Sequence, residues 1–162
     1  ACLFEAWGPE KARDFFTKLK ANNVTLAAGN KQAAVGVGAG KYALCLTDTD
    51  DAMAEIEAGR PVKMIFTRGD TLFIPNTVAC IRGGPNPEGA RKLVDYLLSP
   101  EVETKLAKSA SRQIPLNPQV RLDDLAPIQT PQAVGALRVD FARAVERWQE
   151  SQDFLVKEFG LR

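Results

Sequence analysis

Ala43-Leu44-Cys45-Leu46 runs directly into Thr47-Asp48-Thr49-Asp50-Asp51. Four consecutive apolar residues suit a strand buried on both faces. The polar block behind them supplies hydroxyls and carboxylates of the kind that begin helices. A helix is expected from about residue 52 to residue 58, with Gly59 as its stop. Strand, polar turn and helix make the repeating unit of a layered α/β fold. Ligands of open α/β sheets gather outside the carboxyl ends of the strands, which is where Thr47, Asp48, Thr49 and Asp50 lie.

The same alternation extends in both directions. Upstream, Trp7-Gly8-Pro9-Glu10 is a break followed by a helix start with proline in the first turn. Ala12, Phe15, Phe16 and Leu19 then recur at helical spacing, and Asn22-Asn23 closes the helix. Residues 24–27 read as a strand. Gly29-Asn30 opens a second helix running to about Ala39, weakened by Gly36, Gly38 and Gly40. Downstream, residues 61–66 read as a third strand, and residues 71–74 and 77–81 as two more, broken by Pro75-Asn76. Asn86 caps a helix with Pro87 and Glu88 in its first turn, and Ala90, Leu93, Val94, Leu97 and Leu98 form its apolar side. Tyr96 falls among them and is expected to pack in the core. Ser99-Pro100-Glu101 opens the next helix. Residues 114–135 hold four prolines and are expected to form an extended connector. Phe141, Val145, Trp148, Leu155 and Phe159 then trace one stripe of a helix of about five turns, stopped by Gly160.

Composition narrows the function classes. The 162 residues are 45% hydrophobic and 25% charged, as in folded globular proteins. Twenty-one basic and 20 acidic residues leave a net charge of +1, so nothing marks a nucleic-acid or anionic-membrane partner. The chain has no histidine, which excludes Ser-His-Asp and Cys-His catalysis and histidine-ligated zinc. Cys2, Cys45 and Cys80 form no C-x-x-C and are expected to be small buried apolar residues. No apolar run approaches the ~20 residues of a spanning helix. Ala1-Cys2-Leu3-Phe4-Glu5-Ala6-Trp7 reads as the middle of a helix, so a mature fragment without its true beginning is expected.

Two chemistries fit the Thr47–Asp51 block. Hydroxyls and free N–H groups at a helix start hold anions. Asp48, Asp50 and Asp51 together suit a cation or an ammonium group, although Asp-x-Asp-Asp lacks the glycine and distal glutamate of an EF-hand loop. A plain helix cap accounts for the same residues. Gly29-Asn30-Lys31-Gln32 offers a second oxyanion site or a plain asparagine cap. Gly36-x-Gly38-x-Gly40 has the wrong spacing for a dinucleotide loop. In Ser109-Ala110-Ser111-Arg112-Gln113, Arg112 serves either as an anion clamp or as a surface arginine closing the preceding helix.

Several stretches, in this order, resemble the extracellular solute-binding proteins of ABC importers, in the iron(III)-type branch of the type II periplasmic binding protein fold. They are Trp7-Gly8-Pro9-Glu10-Lys11-Ala12-Arg13-Asp14-Phe15-Phe16, Gly29-Asn30, Leu46-Thr47-Asp48-Thr49-Asp50-Asp51-Ala52, Gly59-Arg60-Pro61-Val62 and Ile74-Pro75-Asn76-Thr77-Val78-Ala79. Asn86-Pro87-Glu88, Asp95-Tyr96-Leu97-Leu98-Ser99-Pro100-Glu101-Val102 and Ser111-Arg112-Gln113-Ile114-Pro115-Leu116-Asn117 complete the set. The resemblance covers the second half of such a protein. It implies that residues 1–68 belong to the second lobe, that residues 69–118 return to the first, and that residues 119–162 pack back on the second through the C-terminal helix. It also implies a cleft between lobes, a transporter permease as partner and a periplasmic or extracellular location. The adjacent tyrosines that hold iron in ferric members correspond here to Asp50-Asp51, so no iron centre is expected.

The resulting expectation is a solute-binding component without chemistry or cofactor of its own. Asn30, Thr47, Asp48, Thr49 and Asp50 would hold a small polar or anionic solute. The rival readings are a divalent-cation-dependent α/β enzyme built on Asp48, Asp50 and Asp51, and a truncated interaction protein without ligand. Strands lacking sheet partners are templates for another chain, so association with a second copy or with a missing N-terminal segment is expected.

Overall fold

A computed structural model describes residues 1–110, 112–121 and 130–161. Its helices, in chain order, are α1 (Cys2–Ala6), α2 (Pro9–Ala21), α3 (Asn30–Gly38), α4 (Thr49–Glu57), α5 (Pro87–Leu97), α6 (Pro100–Lys108), α7 (Pro131–Val134), α8 (Phe141–Glu146) and α9 (Trp148–Phe159). The expected starts and stops fall where the local chemistry puts them. Asn86 Oδ1 accepts from the Gly89 amide at 2.9 Å, and Ser99 Oγ accepts from Val102 at 3.4 Å. Gly160 ends α9 in the left-handed conformation, at φ 65°.

The expected strands are a correction. Among the described residues no segment forms a β ladder, so the sheet of the α/β expectation is not seen. The reason lies in how strands are stabilised. A helix closes its hydrogen bonds within itself, whereas a strand is completed only by a neighbour. Residues 62–67 keep a strand's side-chain alternation nonetheless. Val62, Met64 and Phe66 are half-buried while Lys63, Ile65 and Thr67 are exposed. Leu44, Leu46 and Ile65 are 79%, 74% and 78% exposed, so one side of each segment carries uncovered aliphatic residues.

The chain forms two compact units. The first comprises Ala1–Leu26, Gly69–Leu72 and Gly135–Arg162. In it α1 packs on α2 and α8, and α2 packs on α9. Phe4 is its anchor, 1% exposed, with its ring centroid 5.9 Å from that of Phe154. The Arg13 guanidinium lies over both rings, 5.5 Å from Phe4 and 4.8 Å from Phe154, and pairs with Glu150 at 3.0 Å. Trp7 meets Phe15 edge-on at 5.4 Å. The Leu137 amide donates to the Thr71 carbonyl at 2.9 Å, which ties the short middle segment to the last one.

The C-terminal helix departs from expectation in two ways. It breaks at Arg147, whose amide bonds back to Ala144, so α8 ends in a tight turn before α9 begins. The buried positions are Ala144 and Ser151, two turns apart, whereas Val145 and Trp148 of the expected stripe are 72% and 60% exposed. Small residues face inward because they let helices approach closely.

The second unit comprises Ala27–Arg68 and Phe73–Val134. It groups the chain along different lines from the lobe boundaries the resemblance implies. Its packed helix pairs are α3 with α4 and α5 with α6. Val102 and Ala107 of α6 are buried, whereas α5 buries none of its residues and leaves Leu93, Tyr96 and Leu97 exposed. The expected core role of Tyr96 is thus corrected, as is the burial of the cysteines: Cys2 and Cys45 are half-buried and Cys80 is exposed, all unpaired. The connector contains α7, with the Ala133 amide on Thr130 Oγ1 at 3.2 Å. Residues 122–129 of that connector, and Ser111, lie outside the described residues.

Glycine in α3 serves packing. A Cβ on Gly36 would lie 2.5 Å from the Tyr42 ring. That ring is held in place, because the Lys41 and Tyr42 amides both bond to the Gly36 carbonyl. A Cβ on Gly38 would meet the carboxyl end of Glu55 and, at 3.3 Å, Cγ of Arg60, both parts of flexible side chains. Gly36→Ala is therefore expected to destabilise by about 1–3 kcal/mol through overpacking, less the ~1 kcal/mol of added helix propensity. Gly38→Ala is expected to be neutral or stabilising. Thermal melts of the two variants side by side check the contrast.

Candidate functional site

Two helix N-termini meet at the strand-to-helix junction singled out in the sequence. Asn30 is the first residue of α3, and Asp48 is the N-cap of α4. Asn30 Nδ2 donates to Asp48 Oδ2 at 2.6 Å, and Thr47 Oγ1 donates to the Asn30 carbonyl at 3.1 Å. Asp48 makes no side-chain hydrogen bond to the amides of its own helix; its carboxylate reaches across to α3 instead. Thr49 begins α4, and Asp50 and Asp51 fill its first turn. Acidic groups are favoured there by the helix dipole.

The carboxylate oxygens of Asp48, Asp50 and Asp51 lie within 4.8 Å of one another. Such a group suits an ammonium or a hard cation. Asp48 is exposed, and Asp50 and Asp51 are half-buried. Of the five predicted ligand residues, hydrogen bonds bring Asn30, Thr47 and Asp48 together, and the carboxylate cluster adds Asp50. Thr49 is placed beside them by its position in the first turn. Asp51 belongs to the same cluster; its signal was adjacency to Asp50 in that turn.

Proximity splits the titration of these acids. At Asp48 partial burial pushes the pKa up, but hydrogen bonds from Asn30, Asp51 and Asp50 outweigh it and the carboxyl titrates below its ordinary value. At Asp51 slight burial, the hydrogen bond with Asp48 and the charges of Asp48 and Asp50 all push upward, against Lys31, and it titrates above. The raised Asp51 favours the folded chain below the ordinary carboxylate pKa of about 3.9, and that contribution is lost as pH rises through the folded value. Asp51→Asn is thus expected to raise the melting temperature at neutral pH, with the difference vanishing below about pH 4. Melts from pH 3 to 8 check the sign.

A groove of about 550 Å³ runs along α3, lined by Lys31, Gln32, Val35, Gly36, Lys41 and Tyr42 among others. None of the five predicted ligand residues lines it. Arg112 stands elsewhere too. Its Nε and Nη2 bond to Glu57 Oε1 at 2.9 and 2.7 Å. Glu57 is the last residue of α4, about 12 Å along the helix from Thr49. A small solute at Asp48 does not span that distance, so Arg112 is no clamp for the same site. Arg112 also holds φ +45° without being glycine. That conformation costs about 1–3 kcal/mol, and an ion pair 35% and 40% exposed returns about 1 kcal/mol or less.

A family profile describing bacterial extracellular solute-binding proteins matches residues 5–135. The chain belongs to that family. Among its relatives is a periplasmic protein of Salmonella typhi whose name provisionally assigns it 2-aminoethylphosphonate binding. The two are 28% identical over 111 residues, which is 65% of this chain and 33% of the relative. Proteins of the same name from Salmonella typhimurium and Salmonella paratyphi A match to the same extent. The chain spans about a third of the length of these curated relatives. No solved structure matches significantly. Among the described residues no helix is long and apolar enough to cross a membrane.

Proposed function

We propose that this chain is the solute-binding part of an ABC importer, located outside the cytoplasmic membrane, and that it takes a small zwitterion. It is a binding protein and not an enzyme. The observation that carries the reading is the junction of the α3 and α4 N-termini, where three carboxylates stand beside an amide and a hydroxyl. Asp48, Asp50 and Asp51 would take the ammonium end of the solute. The first-turn N–H groups with Thr47 and Thr49 would take its oxyanion. An aminoalkyl phosphonate has both ends, and the relatives' name supports that class.

In this reading residues 1–68 are part of a second lobe, residues 69–118 return to a first, and residues 119–162 pack on the second. The exposed apolar segments are sheet strands that pair with strands of a second copy or of a longer chain. The solute passes to a permease after the lobes close on it.

Thermal shift with three compounds tests the solute class. 2-Aminoethylphosphonate should stabilise by about 2.7 kcal/mol at a hundredfold excess over Kd. Ethylphosphonate, without the ammonium, and ethanolamine, without the phosphonate, should each do markedly less. Stabilisation by none of the three would overturn the proposal.

A further inference from the structure

The Glu57–Arg112 ion pair links two helix pairs that do not pack along each other. Among the described residues α3 packs on α4 and α5 on α6, while no helix of the first pair packs along a helix of the second. The first pair is well knit internally. Asn30 bonds to Asp48 at one end, and Glu55 lies against Gly38 near the other. The second pair holds the chain that follows it. Glu103 Oε2 accepts from the Leu116 and Asn117 amides at 2.7 and 2.8 Å, and Asn117 Nδ2 donates to the Leu98 carbonyl at 3.0 Å. Asn76 Nδ2 donates to Gln113 Oε1 at 2.6 Å.

Arg112 is the joint between these fixed parts. Its amide bonds back to the Ser109 carbonyl at 3.1 Å, and its backbone is left-handed. That conformation is unfavourable for arginine, and the half-exposed pair it permits returns no more than the conformation costs, so the contact opens easily.

We propose that Glu57–Arg112 is a releasable latch holding the α3–α4 pair against the α5–α6 pair. When it is closed, Arg112 is left-handed and α4 is seated. When it opens, Arg112 relaxes to an ordinary conformation, and α3 and α4 move together as a pair. Because α4 begins at the candidate site, the latch also sets what that site faces; this last step alone rests on the proposed function.

The test measures the distance between spin labels at Ala54 on α4 and Lys92 on α5, both exposed, by pulsed electron spin resonance. Cys2, Cys45 and Cys80 are first replaced by serine or alanine, and circular dichroism confirms helix content in every variant. A distance distribution with a distinct closed-latch component is expected in the parent. Loss of that component is expected in Glu57→Gln, in Arg112→Gly and in the parent at 1 M salt, where exposed pairs are screened. The exchange Glu57→Arg with Arg112→Glu should restore it. Absence of the component in the parent, an unchanged distribution in Glu57→Gln, or failure of the exchange to restore it would overturn the latch. All of this is read without solute. Adding 2-aminoethylphosphonate tests the site separately, so loss of one reading leaves the other standing.

Discussion

Replacing Phe4 by alanine is expected to remove about 3–5 kcal/mol of stability, the range for deleting a fully buried aromatic side chain. Phe4 is 1% exposed and, among the described residues, is the largest side chain to be so completely enclosed. The other buried residues of its unit are Ala12, Ala144 and Ser151, which bury little area and cannot repack to fill the void. The Arg13 guanidinium would lose one of its two aromatic faces as well. Both tryptophans of the chain, Trp7 and Trp148, lie in the same unit. Tryptophan fluorescence during urea unfolding therefore reads this unit alone. The expected result is a transition shifted far to lower urea or lost altogether. A midpoint matching the parent's would show that Phe4 is not the anchor.

The second large effect concerns the solute. Asp48→Asn keeps the size of the side chain and removes its charge. A hydrogen bond to a charged group contributes about 1.5–3 kcal/mol, so affinity for an ammonium-bearing solute should fall by roughly tenfold to a hundredfold. The weak response to ethylphosphonate, which has no ammonium, should not fall further. Titration calorimetry with the parent and the variant separates the two. Equal loss for both compounds would mean that Asp48 maintains the junction with Asn30 and does not meet the ligand.

The legible parts of this molecule are those with local causes. Asn86, Ser99, Gly59 and Gly160 mark helix ends because capping involves residues within one turn of each other. The junction of Asn30 with Thr47 and Asp48 was legible for a related reason: polar residues clustered where an apolar run gives way to a helix. What escaped depends on distant partners. Residues 43–46 have a strand's composition and residues 62–66 its alternation as well, but a ladder is a property of two segments, and composition cannot supply the second. Val145 and Trp148 show another limit. Their spacing pointed to helix, yet the chain breaks at Arg147 and the buried positions are Ala144 and Ser151. Arg112 was legible as a cation, while its partner Glu57, 55 residues away, was not.

The first unit is assembled from the opening and closing stretches of the chain, with the Arg13–Glu150 pair spanning 137 positions. Lys20 reaches the Glu158 carbonyl over a similar separation. The Phe4–Phe154 contact at the unit's centre forms only once residue 154 has been made, whereas Trp7 and Phe15 meet within the first stretch. Contacts so far apart in sequence carry a loop-closure cost before they return anything, and they slow folding more than they weaken the folded state. Phe4 stays uncovered until both distant stretches are present, so the order of synthesis itself postpones closure of this unit.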